Sequence, residues 1–374
     1  GAASYQFVTA DAGTVSFALS YPEGASPVDV DAVDAADGAV RDDDSEGPLT
    51  FAPSGFTVTA GALPNPPPSP IGDPIGTQRA GVAFPVHLTA YGVTQDDPQC
   101  GVIESYGGSR DLTFAMSYLN PASGAGMAVG IDGQPAGGPA QPVIFSAGRA
   151  SVSARYDDAG AIRLQVNDAV SFGHTLSGAS NDFVVQPFEL RVTRIQTPGG
   201  VDNPAPAGYG DDAFIAAGLP FEVDVEALDV DGDRTPNFGR ETPAEGVRVA
   251  SETLVSPAGG RNGSAGDVVG GAAFAATAVA GRFENDSVVF DEVGIIRLRP
   301  AIADGDYLGS GPVPGVLTGN VGRFHPAGFD VVGDAVTAAC GSYTYMDQPA
   351  LGLRYRVQAL NALGGVVENY DAGL

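Results

Sequence analysis

AGVAFPVHLTAY, residues 80–91, and AGLPFEVDVEAL, residues 217–228, are two copies of one strand. In the first, Phe84, Val86, Leu88 and Ala90 alternate with Pro85, His87 and Thr89. In the second, Phe221, Val223, Val225 and Ala227 alternate with Glu222, Asp224 and Glu226. A period of two puts the apolar set on one face, so each copy reads as a strand with one buried and one wet face. A looser third copy, YMDQPALGLRYRVQALNALG, starts at Tyr345. Each copy leads to an aromatic turn signal: SYGG at Ser105, NFGR at Asn237 and NYDAG at Asn369.

Two more modules recur around these strands. One is DAGTVSF at Asp11, DAGAIRL at Asp158 and EVGIIRL at Glu292. The other is LTFAPSGFTV at Leu49, FVVQPFELRV at Phe183 and GRFHPAGFDV at Gly322. Aligning Phe56, Phe188 and Phe329 as junction aromatics gives units of roughly 130–140 residues. The expected organisation is two complete units, 51–183 and 184–322. They are flanked by the C-terminal part of a unit in 1–50 and the N-terminal part of another in 323–374. Short strands separated by Gly, Pro, Asn and Asp clusters make an all-β chain. The expectation is tandem immunoglobulin-like β-sandwich units arranged as an elongated rod. The terminal parts should expose strand edges that either missing strands of a longer chain or neighbouring chains complete.

Composition agrees. Gly (53) and Pro (29) oppose long helices. The Pro-rich stretch from Ala62 to Pro74 reads as an extended loop. Acidic residues number 45 against 18 basic ones, a net charge of −27, and every basic residue is Arg. Without Lys there is no P-loop and no Schiff-base chemistry. So negative a field repels phosphate backbones and anionic lipid, which speaks against nucleic-acid partners. No apolar run has the length of a membrane span, so membrane insertion is not expected. Residues 1–19 do not read as a signal peptide. Cys100 and Cys340 sit in different units at non-equivalent positions, outside any CxxC pair, and are not expected to bond each other.

Catalytic signals are missing. His87, His174 and His325 fall in three separate repeat regions, no GxSxG elbow occurs, and no carboxylate pair stands out from the acidic background. One motif has metal-like spacing: Asp229, Asp231 and Asp233 in DVDGD, with Gly232 for the turn. Alternating carboxylates suit a hard cation such as calcium. The same residues suit an Asx turn between two strands, and the closing Glu of a full calcium loop is replaced by Arg240. Both readings stand open at this point.

GRFHPAGFDV, then Cys340 followed by YTYMDQP, then QALNALGGVVENYDAG, resembles the C-terminal region of the MSHA (mannose-sensitive haemagglutinin) pilus biogenesis protein Q family. Upstream VVQPFELRV, AGLPFEVDVEALDVDGDRTPNFG and EVGIIRL share the likeness, which is densest from 180 to 374. Asp347 and Ala350 depart from that family's usual Gly and Phe. The resemblance implies a bacterial extracellular or envelope protein linked to type IV pili, without catalytic residues. Its implied partners are other pilus or cell-surface proteins, or copies of itself, with a glycan reached through an upstream domain. The expected function is a non-enzymatic surface stalk with an adhesive role; the alternative is a self-assembling filament or surface-layer subunit.

Overall fold

A computed structural model describes residues 4–17, 26–28, 30–42, 49–51, 54–68, 72–94, 100–169, 175–262, 270–348 and 352–370. Among them, two face-to-face sheets form twice in succession. In the first sandwich one sheet runs in the order Gln141–Phe145, Gly108–Asn120, Gly160–Asp168, Phe183–Gln186, Gln78–Arg79. The other runs Ser54–Thr59, Phe84–Gly92, Arg149–Arg155, Gly130–Ile131, Gln134–Pro135. The second sandwich repeats the plan with four strands per sheet. Glu189–Gln196, Pro220–Leu228, Arg282–Val289 and Ala275–Ala276 form one sheet; Ile215–Ala216, Val321–His325, Gly294–Ile302 and Val247–Ser256 form the other. Between these strands pairing is antiparallel apart from one short segment in each unit. Gln78–Arg79 lies parallel to Val185–Gln186, and Ile215–Ala216 lies parallel to Phe324–His325.

Alternation explains the cores. Val86, Leu88 and Ala90 are buried with Ile162, Leu164 and Val166 of the facing sheet. Phe221, Val223, Val225 and Ala227 do the same with Ile296 and Leu298. Asp224 differs from its expected wet position. It is 1% exposed, because Arg194 from the strand on one side grips its carboxylate at 2.6 and 3.0 Å. Arg282 from the strand on the other side bonds the same carboxylate. The arginine stems cover the sheet face while their heads hold the anion.

The strand ladders also correct the repeat register. Phe56 pairs with Ala90 and Phe329 with Ala359, while Leu190, not Phe188, pairs with Ala227. The equivalent of Phe56 in the middle unit is therefore buried Leu190, and Phe188 is only half-buried. A slip of two residues keeps the same strand face, so alternation alone cannot detect it.

Among the described residues of the two ends, pairing is sparse. Ser26–Val28 pairs with Leu49–Phe51, and Gly328–Thr337 pairs with Gly352–Leu360. On the second ladder Phe329, Val331, Tyr355 and Val357 are each more than half exposed. The register mates of Val357 in the two sandwiches, Leu88 and Val225, are fully buried. Cys100 and Cys340 form no disulfide with each other.

Burial sets the expected energetics. Leu298→Ala should destabilise the chain by about 2–5 kcal/mol, through lost transfer energy and the cavity left behind. Ile144→Ala, at a side chain 79% exposed, should change stability by less than about 0.5 kcal/mol. Urea unfolding followed by circular dichroism measures both.

Candidate functional site at the unit joints

The recurring D/E-x-G and Asn-aromatic modules meet each other across the unit boundaries. Asp158, at the tip that precedes strand Gly160–Asp168, is fully buried. Its Oδ1 accepts the backbone N–H of Ala159 at 2.8 Å and that of Asn237, from the next unit, at 2.9 Å. The Asn237 amide donates to the Tyr156 hydroxyl at 3.0 Å and the Ala159 carbonyl at 3.2 Å, and accepts the Ala125 N–H at 2.7 Å. Ala159 itself is packed into the core of the second sandwich.

The second boundary repeats this set. Glu292 accepts the N–H groups of Val293 and Asn369 on Oε1 at 2.8 and 3.3 Å, and that of Glu368 on Oε2 at 2.8 Å. Asn369 donates to the carbonyls of Val293 and Arg261 and accepts the Arg261 N–H at 2.6 Å. Val293 packs with Ala217, Ala359 and Val367. The glycine that closes each tip is required. A Cβ on Gly160 would lie 2.7 Å from the Asn120 carbonyl oxygen, and one on Gly294 would lie 2.4 Å from that of Ser256. Both have positive φ, 131° and 144°, which L side chains avoid.

The DVDGD loop is a second contact of the same joint. Asp229 is buried, and its Oδ1 accepts the N–H of both Asp231 and Asp233 at 2.9 Å, closing an Asx-type turn. The turn docks backward, with the Val230 N–H on the Ala80 carbonyl at 3.1 Å. Asp231 is exposed and ion-paired with Arg155 of the preceding unit, and Asp233 is exposed. Asn361 does the work of Asp229 at the next boundary. Its Oδ1 accepts Leu363 and Gly365 N–H groups, and the Ala362 N–H reaches the Ala217 carbonyl at 2.7 Å. An uncharged amide in the same role fits the turn reading. Among the described residues no three His, Cys, Asp or Glu side chains converge on a metal-sized site.

Burial governs the electrostatics of the first joint. It raises the Asp158 carboxyl to about 6, against the pull of the Asn237 and Ala159 N–H groups and with added repulsion from Glu241. It raises Glu241, whose Oε1 accepts the Tyr307 hydroxyl at 2.8 Å. It raises Glu245 to about 7, with Asp304, Glu241 and Asp306 adding repulsion. Asp158 Oδ2 is buried with no hydrogen-bond partner. Among the described residues of the joints nothing aligns a nucleophile with a base. His87 and His325 lie on strands of different sandwiches, and His174 lies outside the described residues. An open groove of about 590 Å³ runs between strand Glu189–Gln196 and residues 316–321. Its amides are committed to structure: Asn203 donates to the Asn320 carbonyl, and Asn320 to the Pro206 carbonyl.

The sequence held the signal for these joints. The acid and the asparagine are 79 residues apart at one boundary and 77 at the other. Recurrence of the modules along the chain does not by itself say which copies touch.

Models of a single family match the chain in order. The domain of unknown function DUF6701, first Ig-like domain, matches residues 33–179; its second domain matches 186–286 and its third 292–374. No curated protein matches. Among solved structures, the C-terminal 282-residue fragment of intimin, in complex with the intimin-binding domain of the translocated intimin receptor, is 12% identical with a TM-score of 0.27. The match covers 68% of this chain and 62% of that one, so the chain spans less than two thirds of the fragment's length. InvD of Yersinia pseudotuberculosis is 10% identical, with a TM-score of 0.25 and coverage of 78% and 69%. A marsupial T cell receptor reaches 9% identity and a TM-score of 0.21, with 77% of each chain covered. Scores this low carry no argument about what the chain does.

The joint chemistry sets two expectations for urea unfolding. Asn237→Ala takes the amide donor from the buried Tyr156 hydroxyl and Ala159 carbonyl and should destabilise the chain by about 1–3 kcal/mol. Asp229→Ala strands two loop N–H groups and should lower stability by a similar amount, whereas Asp231→Ala removes an exposed ion pair and should lose less than about 1 kcal/mol. Comparable losses for the two aspartates, together with a rise in melting temperature on adding calcium, would favour the cation reading of the loop.

Proposed function

We propose, taking as premise that the chain is a succession of DUF6701 domains, that it is a non-enzymatic, surface-associated spacer. Its Ig-like units hold a distal binding element away from the cell. The observation that carries this reading is the repeated joint. A stalk has to transmit orientation from one unit to the next, and a flexible linker would lose it. Here each tip is packed against the following unit and locked by a buried acid and a buried asparagine. Loops at the sandwich ends are the natural sites for partner contact, since the strands hold them in place.

The pilus association belongs to this proposal and rests on the residue likeness of 180–374 to the MSHA biogenesis protein Q family; the family matches name DUF6701 domains alone. A second reading, assembly into a filament, draws on the apolar side chains exposed on the terminal hairpin, Phe329, Val331, Tyr355 and Val357. Two measurements separate the possibilities. An antibody raised against the chain should label intact, unpermeabilised cells; labelling only after permeabilisation would sink the surface reading. In solution the spacer reading expects a monodisperse elongated monomer by small-angle scattering, whereas ordered polymers would favour the filament.

A further inference from the structure

The two joints share a plan and differ in one atom. At the second, both oxygens of Glu292 accept N–H donors from the following unit or from its own tip. At the first, the shorter Asp158 reaches its donors with Oδ1 alone, and Oδ2 is enclosed without a partner. A buried carboxylate with one unsatisfied oxygen is costly when charged and much less so when protonated. Opening the boundary, with Asn237 and Ala159 withdrawn, would return that oxygen to water.

We infer that the boundary between the two sandwiches is a proton-sensitive hinge, closed and stiff in acid and looser at neutral to alkaline pH, with Asp158 as the group that titrates.

The surroundings of Asp158 bear this out from both sides. From its own sandwich Tyr156 and Tyr118 face it, and Asp157 beside it is engaged with Arg155, which also pairs with Asp231. From the second sandwich come Asn237, Arg240, Glu241 and Tyr307. Beyond them Glu245 stands close to Asp304 and Asp306. Arg240 is the one cation in this set that acts on Asp158, so carboxylates outnumber positive charge and every proton taken up relieves repulsion. The sign follows from linkage. The closed joint raises Asp158 to about 6, while a solvated aspartate titrates near 3.9. The closed state therefore binds the proton more tightly. Closure is favoured as pH falls through about 6, and that advantage is lost as pH rises above it. Between pH 7.5 and 5.0 the closed-to-open ratio should increase about tenfold.

The test is amide hydrogen exchange on the full chain, corrected for the intrinsic pH dependence of exchange and read at the peptides carrying the Asn237 and Ala125 N–H groups. Both amides bond across the boundary, so their protection reports its opening. The expected result is about a tenfold gain in protection from pH 7.5 to 5.0, beginning near pH 6 and still rising at pH 5, and a flat profile in Asp158→Asn. Equal protection of the wild type at the two pH values overturns the hinge. A gain that survives in Asp158→Asn overturns the assignment to Asp158. Should that variant fail to fold, the wild-type titration still decides, since protection that stays flat down to pH 5 and rises only as pH nears 4 contradicts a buried, proton-binding Asp158.

Discussion

A carboxylate removed from water must find donors, and in this chain they come from the next unit. Asp158 and Glu292 sit at the tips of their sandwiches, where neither could stay ionised and buried alone. The backbone N–H groups of Asn237 and Asn369 are donors that reach them from the following unit. The rest of the structure is arranged around that requirement. The glycines bring the tip close to the adjacent strand, the small Ala159 and Val293 enter the neighbouring core, and the Asp229 and Asn361 turns dock from the other side. Each unit is therefore finished by its successor.

Much of the sandwich was legible because a strand writes its two faces into alternate residues. Phe221 to Ala227 and Phe84 to Ala90 disclosed their buried face directly. Register was less legible: Phe188 and Leu190 lie on the same face two residues apart, and only the ladder opposite Ala227 separates them. The joint was the hardest to read. Its residues are polar, far apart in sequence and ordinary one at a time. Asp229 drew attention as a cation ligand because its spacing looks like one, yet its carboxylate closes a turn that Asn361 closes equally well.

The absence of Lys takes on a structural sense in Asp224. An anion on a central strand is held there by two guanidinium groups, one from each adjacent strand. The planar fork meets both oxygens while the stem lies along the sheet, which a compact ammonium does less well. The same fork joins units at Arg155, paired with Asp231, and at Arg261, paired with Glu368.

The strand pairing and the family's domain limits are out of phase. The second-domain match stops at 286 and the third begins at 292, while strands Arg282–Val289 and Gly294–Ile302 on either side of that gap are facing halves of one sandwich. The limits of the family's domain models thus do not coincide with the limits of the sandwich. An exchange of genetic material near residue 290 separates strands Ile215–Ala216 and Val247–Ser256 from their sheet partners Val321–His325 and Gly294–Ile302. It succeeds only when the incoming strands carry a matching core and a tip that their new neighbour accepts. Lineages built from such segments should drift in their loops and edges while the paired sheets on either side of that point evolve together.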